Sequence, residues 1–232
     1  MSPYLFITGR VGFKLIQTEY GITANKMRDF PYLTAEFDEH TIKEINNRRR
    51  NLISSGNPIK LLISNRFIDR KGYNIILEVF QMFSSSINQY EITILGTGPQ
   101  FEFYEKQIKK INSNIRLSGW VEYQQYLEYL MECDIFLHAS LDEPFGIPPM
   151  DAMACGKLVI GSSGVISCID RISNGIDGFI YDKNNPKQLK EILEFAANSR
   201  SEIYKMGDKA YSTAKSYTSH YNIDCINQIL KE

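Results

Sequence analysis

The strongest constraint on the fold is the alternation, from residue 59 onward, of short β-rich runs with segments of helical pattern. Apolar residues in those segments recur at helical spacing, as in Tyr123, Leu127 and Leu130, and such stripes predict buried helix faces. Parallel strands need long crossover connections, so the alternation predicts an α/β fold whose parallel sheet carries helices on both faces. The predicted strands cover residues 59–64, 91–95, 115–117, 135–137, 158–160 and 179–181.

The two ends of the chain follow other patterns. Residues 1–57 contain aromatic side chains but no alternation of strand and helix, and we predict that they are the remnant of a preceding domain and a linker. Residues 58–216 then form the main domain. A break at residues 217–219 separates two helical patterns, so residues 217–232 are predicted to contain a separate final helix.

Charge and cysteine content exclude several classes of function. The 26 basic and 27 acidic residues leave a net charge of -1, which provides no field to hold a nucleic acid by counterion release. The four cysteines form no C-x-x-C pair, so neither a zinc knuckle nor a disulfide framework is expected. A reducing cytoplasm fits them better. The sequence shows no signal-peptide pattern and no membrane-spanning stretch, so we expect a soluble, cytoplasmic protein, for which peripheral contact with a membrane stays open.

Residues 142–156 have the composition of a ligand site rather than of a core. The strand predicted before them places Glu143, Phe145 and Gly146 at its carboxyl end, and the proline pair that follows suits the first turn of a helix. Ligands of open α/β sheets bind at the carboxyl ends of the strands, and the free amides of a helix N-terminus attract phosphate. The segment therefore predicts a phosphate-bearing ligand.

Two cations follow the first strand of the main domain. Arg66 lies at its carboxyl end, and Lys71 opens the next helical segment. An arginine fork together with a lysine point charge suits a diphosphate, and we expect both to face the crevice. The alternative is that they are ordinary surface charges paired with Asp69 or Glu78.

Two glycine-containing turns follow the second and third strands. Gly96-Thr97-Gly98-Pro99 lets the backbone approach a ligand closely, and Gly119-Trp120-Val121 can present backbone groups and an apolar wall to a nucleobase. Both segments are equally compatible with plain turn chemistry.

Acidic residues in the same region are candidates for sugar contacts. Glu143 and Asp151 span the distance from a loop to a first helical turn, although Asp151 could simply complement the helix dipole. His138 is interpreted as a core histidine unless a carboxylate lies nearby. The chain has no Asp-x-Asp pair to clamp Mg²⁺, so no metal and no cofactor are expected. Hydrolase and P-loop motifs are also absent.

Together these motifs resemble the donor-binding half of a group 1 (family 4) glycosyltransferase. Their order and spacing match across residues 59–217. The motifs are Asn65-Arg66-(x4)-Lys71-Gly72, Gly96-x-Gly98-Pro99, Leu117-x-Gly119-x-Val121, Asp134-Ile135, Ser140-x-x-Glu143-x-Phe145-Gly146-x-Pro148 and Ala152-Met153-Ala154-x-Gly156.

The resemblance implies a Rossmann-like domain, the C-terminal half of a GT-B fold, in a retaining and metal-independent transferase. Arg66 and Lys71 would neutralise the diphosphate of a UDP-, GDP- or ADP-sugar, and the amides of Gly146 and Ile147 would assist. The catalytic group would consist of Glu143, Arg66 and Lys71. The predicted binding residues are Arg66, Lys71, Gly98, Val121, Glu143, Phe145, Gly146, Ile147 and Asp151.

Three further contacts are implied by motif position. Glu143 would hydrogen-bond the donor sugar near its developing positive charge, Asp151 would hold the ribose hydroxyls, and the backbone of Val121 would meet the base. The family usually has glutamate where Asp151 stands, and the glycine pair and glutamate after the fifth strand are replaced by Ser163-Gly164-Val165 and Asp170.

The implied reaction is sugar transfer to a glycan or lipid-linked acceptor in polysaccharide biosynthesis. The first 57 residues resemble only the last stretch of the acceptor-binding domain, through which peripheral membrane contact would be made. One alternative is therefore a non-catalytic nucleotide-sugar-binding module, or a truncated or split subunit that needs a partner chain for the acceptor site. A GT-B epimerase or phosphorylase is a third hypothesis.

Overall fold

A computed structural model of the chain describes residues 4–83 and 86–231. The strands are β1 (Leu5–Ile7), β2 (Met27–Asp29), β3 (Ile59–Ser64), β4 (Tyr90–Leu95), β5 (Arg116–Gly119), β6 (Ile135–His138), β7 (Leu158–Ser162) and β8 (Phe179–Tyr181). The α-helices are α1 (Gly9–Tyr20), α2 (Glu39–Ser54), α3 (Tyr73–Met82), α4 (Phe101–Ile111), α5 (Tyr123–Glu132), α6 (Ile147–Ala154), α7 (Ile166–Arg171), α8 (Pro186–Asn198), α9 (Arg200–Ala214) and α10 (Ser219–Ile229).

Six strands form one parallel sheet in the order β5-β4-β3-β6-β7-β8. All six predicted strands of the main domain are present, and the α/β fold with a parallel sheet is confirmed. The order changes direction between β3 and β6, so the loops that leave their carboxyl ends diverge. Such a switch point opens a crevice at the sheet edge.

Side chains of the central strands alternate between two buried layers. Leu61 and Ile63 of β3 belong to the core on the side of α3, α4 and α8, whereas Leu62 belongs to the core on the side of α5 and α6. All three are nearly fully buried. The continuous apolar run is therefore explained by a strand that is covered on both faces, as parallel strands usually are.

A buried ion pair joins Arg49 of α2 to Asp134, the residue before β6. The guanidinium Nη2 of Arg49 lies 2.6 Å from Oδ2 of Asp134, and the hydroxyl of Tyr204 on α9 donates to Oδ1 of Asp134 at 2.7 Å. The backbone amide of Lys60 also donates to Asp134, at 2.8 Å. These contacts place the segment before β3 against the sheet.

Residues 5–29 form a small parallel strand–helix–strand unit from β1, α1 and β2, with Leu5 paired to Met27. The expectation of no strand and helix alternation in residues 1–57 was therefore wrong. Each strand contains only three residues, which is too short for a two-residue hydrophobic period to be recognised. The proposed domain boundaries stay predictions.

The final helix packs on residues 29–36, the segment at and after the end of β2. The break was predicted at residues 217–219. In the structure, a 3₁₀ turn at Lys215–Tyr217 and Thr218 separate α9 from α10, which begins at Ser219. Its Asn222 amide donates to the carbonyl of Pro31 at 3.1 Å, and the Ser219 hydroxyl donates to Glu36 at 2.6 Å. None of the helices in the part of the chain that the structure describes has the length and apolar character needed to cross a bilayer.

Candidate functional site

A cleft of about 810 Å³ lies at the carboxyl ends of β3, β4 and β5, facing the start of α6. Five of the predicted binding residues line it, together with the exposed ring of Trp120. Their common position at strand ends and a helix start agrees with the switch point of the sheet. The five are Arg66, Gly98, Val121, Ile147 and Asp151.

Arg66 provides the cationic side of the cleft. Within residues 4–83 and 86–231 its guanidinium forms no salt bridge, so the alternative pairing with Asp69 or Glu78 is not observed. Directly beside it, Gly96 has a φ of +120°, and a Cβ there would lie 2.0 Å from the carbonyl oxygen of Asn65. Glycine is therefore required where the two strand ends meet.

Asp151 forms part of the cleft wall opposite the strand ends. Its side chain is buried, and Oδ1 accepts a hydrogen bond from the backbone amide of Ala35 at 2.9 Å. Burial raises the pKa of this carboxyl to about 6, since the charged form is poorly solvated there. The backbone contact with Ala35 acts in the opposite direction and is the weaker effect.

Lys71 and Glu143 form a second group beside the cleft. Lys71 is buried and does not line the cleft with Arg66. Its ammonium instead donates to Oε2 of Glu143. The guanidinium of Arg70 approaches the same oxygen at 3.9 Å. The neighbouring His138 and Lys71 hold the pKa of Glu143 at about 2, so its carboxyl is ionised at neutral pH.

The loop after β6 connects the two groups. Gly146 has a φ of +91°, and a Cβ at this position would lie 3.0 Å from Val165. The loop is fixed by hydrogen bonds from Ser167, whose amide donates to the Phe145 carbonyl at 2.9 Å and whose hydroxyl donates to the Gly146 carbonyl at 2.7 Å. Pro148 and Pro149 have no N–H, so the amide of Ile147 is the one within the first three residues of α6 that can donate, and it has no acceptor within the helix. This amide is thus available to an anion.

The structure places Phe145 against Tyr32, which lies in the segment of residues 29–36. Its ring packs on the ring of Tyr32, with 4.6 Å between centroids, rather than on the cleft. Tyr123, which we predicted to belong to a core stripe, is 62% exposed and lines the cleft instead. It lies in the first turn of α5, where the helix emerges from the core.

His138 is buried, as expected of a core histidine, but a carboxylate is close to it. Its Nε2 lies 3.8 Å from Oε2 of Glu143 and 3.2 Å from the hydroxyl of Ser140. Nδ1 lies 3.4 Å from the amide nitrogen of Asn65. Burial lowers the pKa of this imidazole, so the neutral form is favoured. The contact with Asn65 could not be found from the sequence, because Asn65 lies 73 residues away along the chain.

The side chains that bind metals in proteins, those of aspartate, glutamate, histidine and cysteine, do not cluster in this structure as a metal site requires. Among the described residues, no group of three or more of them is placed to hold a metal ion. All four cysteines are free thiols.

Comparison with known proteins decides the family. The family model "Glycosyl transferases group 1" matches residues 44–213. The chain belongs to the group 1 glycosyltransferases. The matched range contains both groups of site residues, from Arg66 to Asp151.

Two curated glycosyltransferases illustrate how far the similarity extends. The chain is 25% identical to an uncharacterized glycosyltransferase of Methanocaldococcus jannaschii over 169 residues, which are 72% of this chain and 46% of that protein. It is 22% identical to the poly(glycerol-phosphate) alpha-glucosyltransferase of Bacillus subtilis, over 90% of this chain and 32% of that protein. The chain thus spans about half or less of the length of these relatives.

Solved glycosyltransferase structures share the fold. TarM of S. aureus, crystallised as a mutant with fondaparinux, alpha-GlcNAc-glycerol and UDP, superimposes with a TM-score of 0.78 at 14% identity, over 99% of this chain and 44% of that chain. HepE of Anabaena, crystallised with UDP and glucose, gives a TM-score of 0.72 at 16% identity, over 99% of this chain and 62% of that chain. These neighbours are GT-B glycosyltransferases, and the six-stranded sheet is the Rossmann-like half of that fold.

Proposed function

We propose that this chain is the donor-binding half of a retaining, metal-independent glycosyltransferase. The observation that carries the proposal is the unpaired guanidinium of Arg66 in a cleft that the first turn of α6 also faces. An arginine fork and helix N-terminal amides are both complementary to phosphate oxygens. The cleft volume of about 810 Å³ is of the size that ligand pockets usually have.

The two groups of site residues suggest a division of roles along the donor. Arg66 and the amides of Gly146 and Ile147 would hold the diphosphate, while Asp151 would accept hydrogen bonds from the ribose. The base would lie against Val121, with Gly98 allowing close approach of the backbone. Trp120 and Tyr123 are exposed at the same end of the cleft, and aromatic faces there can cover a base.

The chemical step breaks the anomeric C–O bond and leaves a nucleoside diphosphate. Positive groups that are already in place lower the energy of the developing phosphate charge without reorganisation. Lys71 would supply a second cation by sharing its ammonium between Glu143 and the diphosphate. Because Glu143 is ionised, its carboxylate can stabilise the positive charge that develops on the sugar.

The acceptor is proposed from the relatives. The Bacillus subtilis relative is named for glucosyl transfer to poly(glycerol phosphate), and a Campylobacter jejuni relative is named for transfer to a diphospho-undecaprenol-linked sugar. We therefore propose a glycan or lipid-linked acceptor, a role in polysaccharide biosynthesis and a cytoplasmic location, at which peripheral contact with the membrane would bring the acceptor. UDP is the first donor nucleotide to test, since TarM and HepE were crystallised with it.

A second candidate is a nucleotide-sugar-binding subunit that gains activity from a partner chain. One observation favours it: the two-stranded sheet of β1 and β2 leaves the apolar side chains of Leu5 and Phe6 exposed. A parallel pair of three-residue strands has too little buried surface to be stable without further packing. Turnover of a nucleotide sugar by the chain alone would favour the first candidate, and binding without turnover would favour the second.

Isothermal titration with UDP, GDP and ADP, each with and without an attached sugar, tests the donor site. We expect saturable binding of one diphosphate and a loss of about 10- to 100-fold in affinity in Arg66→Ala, the range for a hydrogen bond to a charged group. Arg116→Ala removes an exposed arginine outside this cleft and should leave the affinity unchanged. Equal affinities of wild type and Arg66→Ala would contradict the proposed role of Arg66.

A further inference from the structure

The carboxylate of Glu143 rests on a buried polar cluster that the proposed transfer reaction does not yet use. His138 at the end of β6 and Ser140 just beyond it are almost fully buried. Both ring nitrogens of His138 face polar side chains: Nδ1 faces the Asn65 amide at 3.4 Å, and Nε2 faces the Ser140 hydroxyl at 3.2 Å. Buried polar atoms are normally satisfied in this way, so the pairing fixes the orientation of the ring.

The contacts also determine which nitrogen carries the proton. The amide nitrogen of Asn65 can only donate, so Nδ1 of His138 acts as the acceptor. In the neutral ring, the proton then lies on Nε2. That N–H is directed to the side on which the Ser140 hydroxyl and Glu143 Oε2 lie, the latter at 3.8 Å. His138 thus presents a donor, rather than a lone pair, toward Glu143.

All polar neighbours approach the same oxygen of Glu143. Lys71 donates to Oε2, Arg70 lies 3.9 Å from Oε2, and His138 lies 3.8 Å from it. Among the described residues, no polar contact of Oε1 is found. Lys71 and Glu143 are also the charged groups that face the imidazole, Lys71 from the turn after β3 and Glu143 from the loop after β6.

We propose that His138, held in the Nε2–H tautomer by Asn65, is a positioning residue that fixes the rotamer of Glu143 and keeps Oε1 directed at the donor sugar. The inference rests on the proposed function, because it assigns the sugar to Glu143. A carboxylate held by the long side chain of Lys71 alone could rotate, whereas a ring rigidly attached to a central strand provides a second fixed point. Being neutral, the ring does so without a further positive charge near the sugar.

The tautomer can be measured without any ligand. The chain contains three histidines, and His40 and His220 are exposed, so a long-range ¹⁵N–¹H correlation spectrum of the labelled protein separates three rings. We expect the Nε2–H pattern for His138 near neutral pH. The Nδ1–H pattern, or a doubly protonated ring, would overturn the proposal.

The effect on sugar binding separates positioning from a purely structural role. With UDP and UDP-glucose as probes, His138→Leu should bind UDP like the wild type but lose about 3- to 10-fold in affinity for UDP-glucose. The expected loss is that of one hydrogen bond between the sugar and a Glu143 carboxylate that is no longer held in place. His138→Gln keeps an N–H donor at a similar reach and should restore most of that loss. A structural role would instead weaken both ligands in proportion.

Three outcomes of the binding comparison would overturn the proposal, and one would count against the proposed function. Unchanged UDP-glucose affinity in His138→Leu, parallel losses for both ligands, or no rescue in His138→Gln would each contradict positioning. If His138→Leu does not fold, the comparison of His138→Gln with the wild type still applies. If the folded wild type binds neither probe, the donor assignment fails for UDP, while the tautomer measurement still decides whether His138 presents a donor to Glu143.

Discussion

Replacing Asp151 with asparagine should flatten the dependence of folding stability on pH. The carboxyl is buried in the cleft wall, and its pKa is raised from 3.8 to about 6 by loss of solvation. In the unfolded chain the same group ionises near its ordinary pKa. The folded state therefore binds this proton more tightly, and the free energy of unfolding decreases as the pH rises through the folded pKa of about 6.

The size of the effect follows from the two pKa values of Asp151. The difference between 3.8 and about 6 corresponds to about 3 kcal/mol, which is present below the unfolded pKa and is lost above the folded one. Between about pH 4 and about pH 8, roughly 2.5 kcal/mol should be lost in the wild type. Asparagine does not titrate. Its hydrogen bond from the Ala35 amide is weaker than that of aspartate, which should lower the free energy of unfolding by about 1 kcal/mol at all pH values.

Urea unfolding followed by circular dichroism measures this difference at a series of pH values. The wild-type curve contains every titrating group, so the quantity to plot is the free energy of unfolding of the variant minus that of the wild type. Glu122→Gln is a matched control, because it removes an exposed carboxylate from the same cleft. The difference plot of Asp151→Asn should rise with pH, and more steeply than that of Glu122→Gln.

A level difference plot for Asp151→Asn would refute this reasoning. It would mean that the carboxyl is solvated in the folded chain, and that the cleft wall formed by Asp151 is open to water. A related consequence concerns ligand binding. If ribose hydroxyls donate to the ionised carboxylate, nucleotide affinity of the wild type should rise as the pH passes about 6, the pKa of the group, and Asp151→Asn should lack this rise.

Two further predictions concern how much a glycine and a buried ion pair contribute to the stability of the fold. Gly96→Ala should lower the free energy of unfolding by more than about 2 kcal/mol, because its Cβ would collide with a backbone carbonyl. Gly175→Ala shares a positive φ but has open space, so it should cost only about 1 kcal/mol; equal losses in urea unfolding would contradict this. Arg49→Met leaves the buried Asp134 carboxylate without its cation and should cost about 3–5 kcal/mol. Arg48→Met breaks only an exposed pair and should cost less than about 1 kcal/mol, so similar losses in the two variants would show that Arg49 is not buried against its partner.

The sheet could be predicted from the sequence because its strands are buried on both faces. Continuous apolar runs such as Leu61-Leu62-Ile63 are distinct from the stripes of the intervening helices, and each was found as a parallel strand. The unit of β1, α1 and β2 escaped prediction because three-residue strands carry no periodic signal. Short strands depend on tertiary pairing, which a local pattern does not contain.

The site could be predicted only in part. Strand ends and a helix start were enough to locate Arg66 and Asp151 at one cleft. The pairing of Lys71 with Glu143 was not predictable, because the two residues lie 72 positions apart in the sequence. The exposure of Tyr123 was not predictable either. Its position in an apolar stripe suggested a buried side chain, but the end of the helix on which it lies is exposed.

The most direct test of the proposed donor site is a comparison of uridine with UDP in ¹H–¹⁵N spectra of the labelled chain. Trp120 is the single tryptophan, so its indole N–H gives one signal that reports on the cleft. We predict that uridine and UDP both shift this signal, and that only UDP shifts the amides of Gly146 and Ile147 at the start of α6. Shifts of those amides with uridine, or no shift in the cleft with any of UDP, GDP and ADP, would contradict the claim that this cleft holds the diphosphate of a nucleotide sugar.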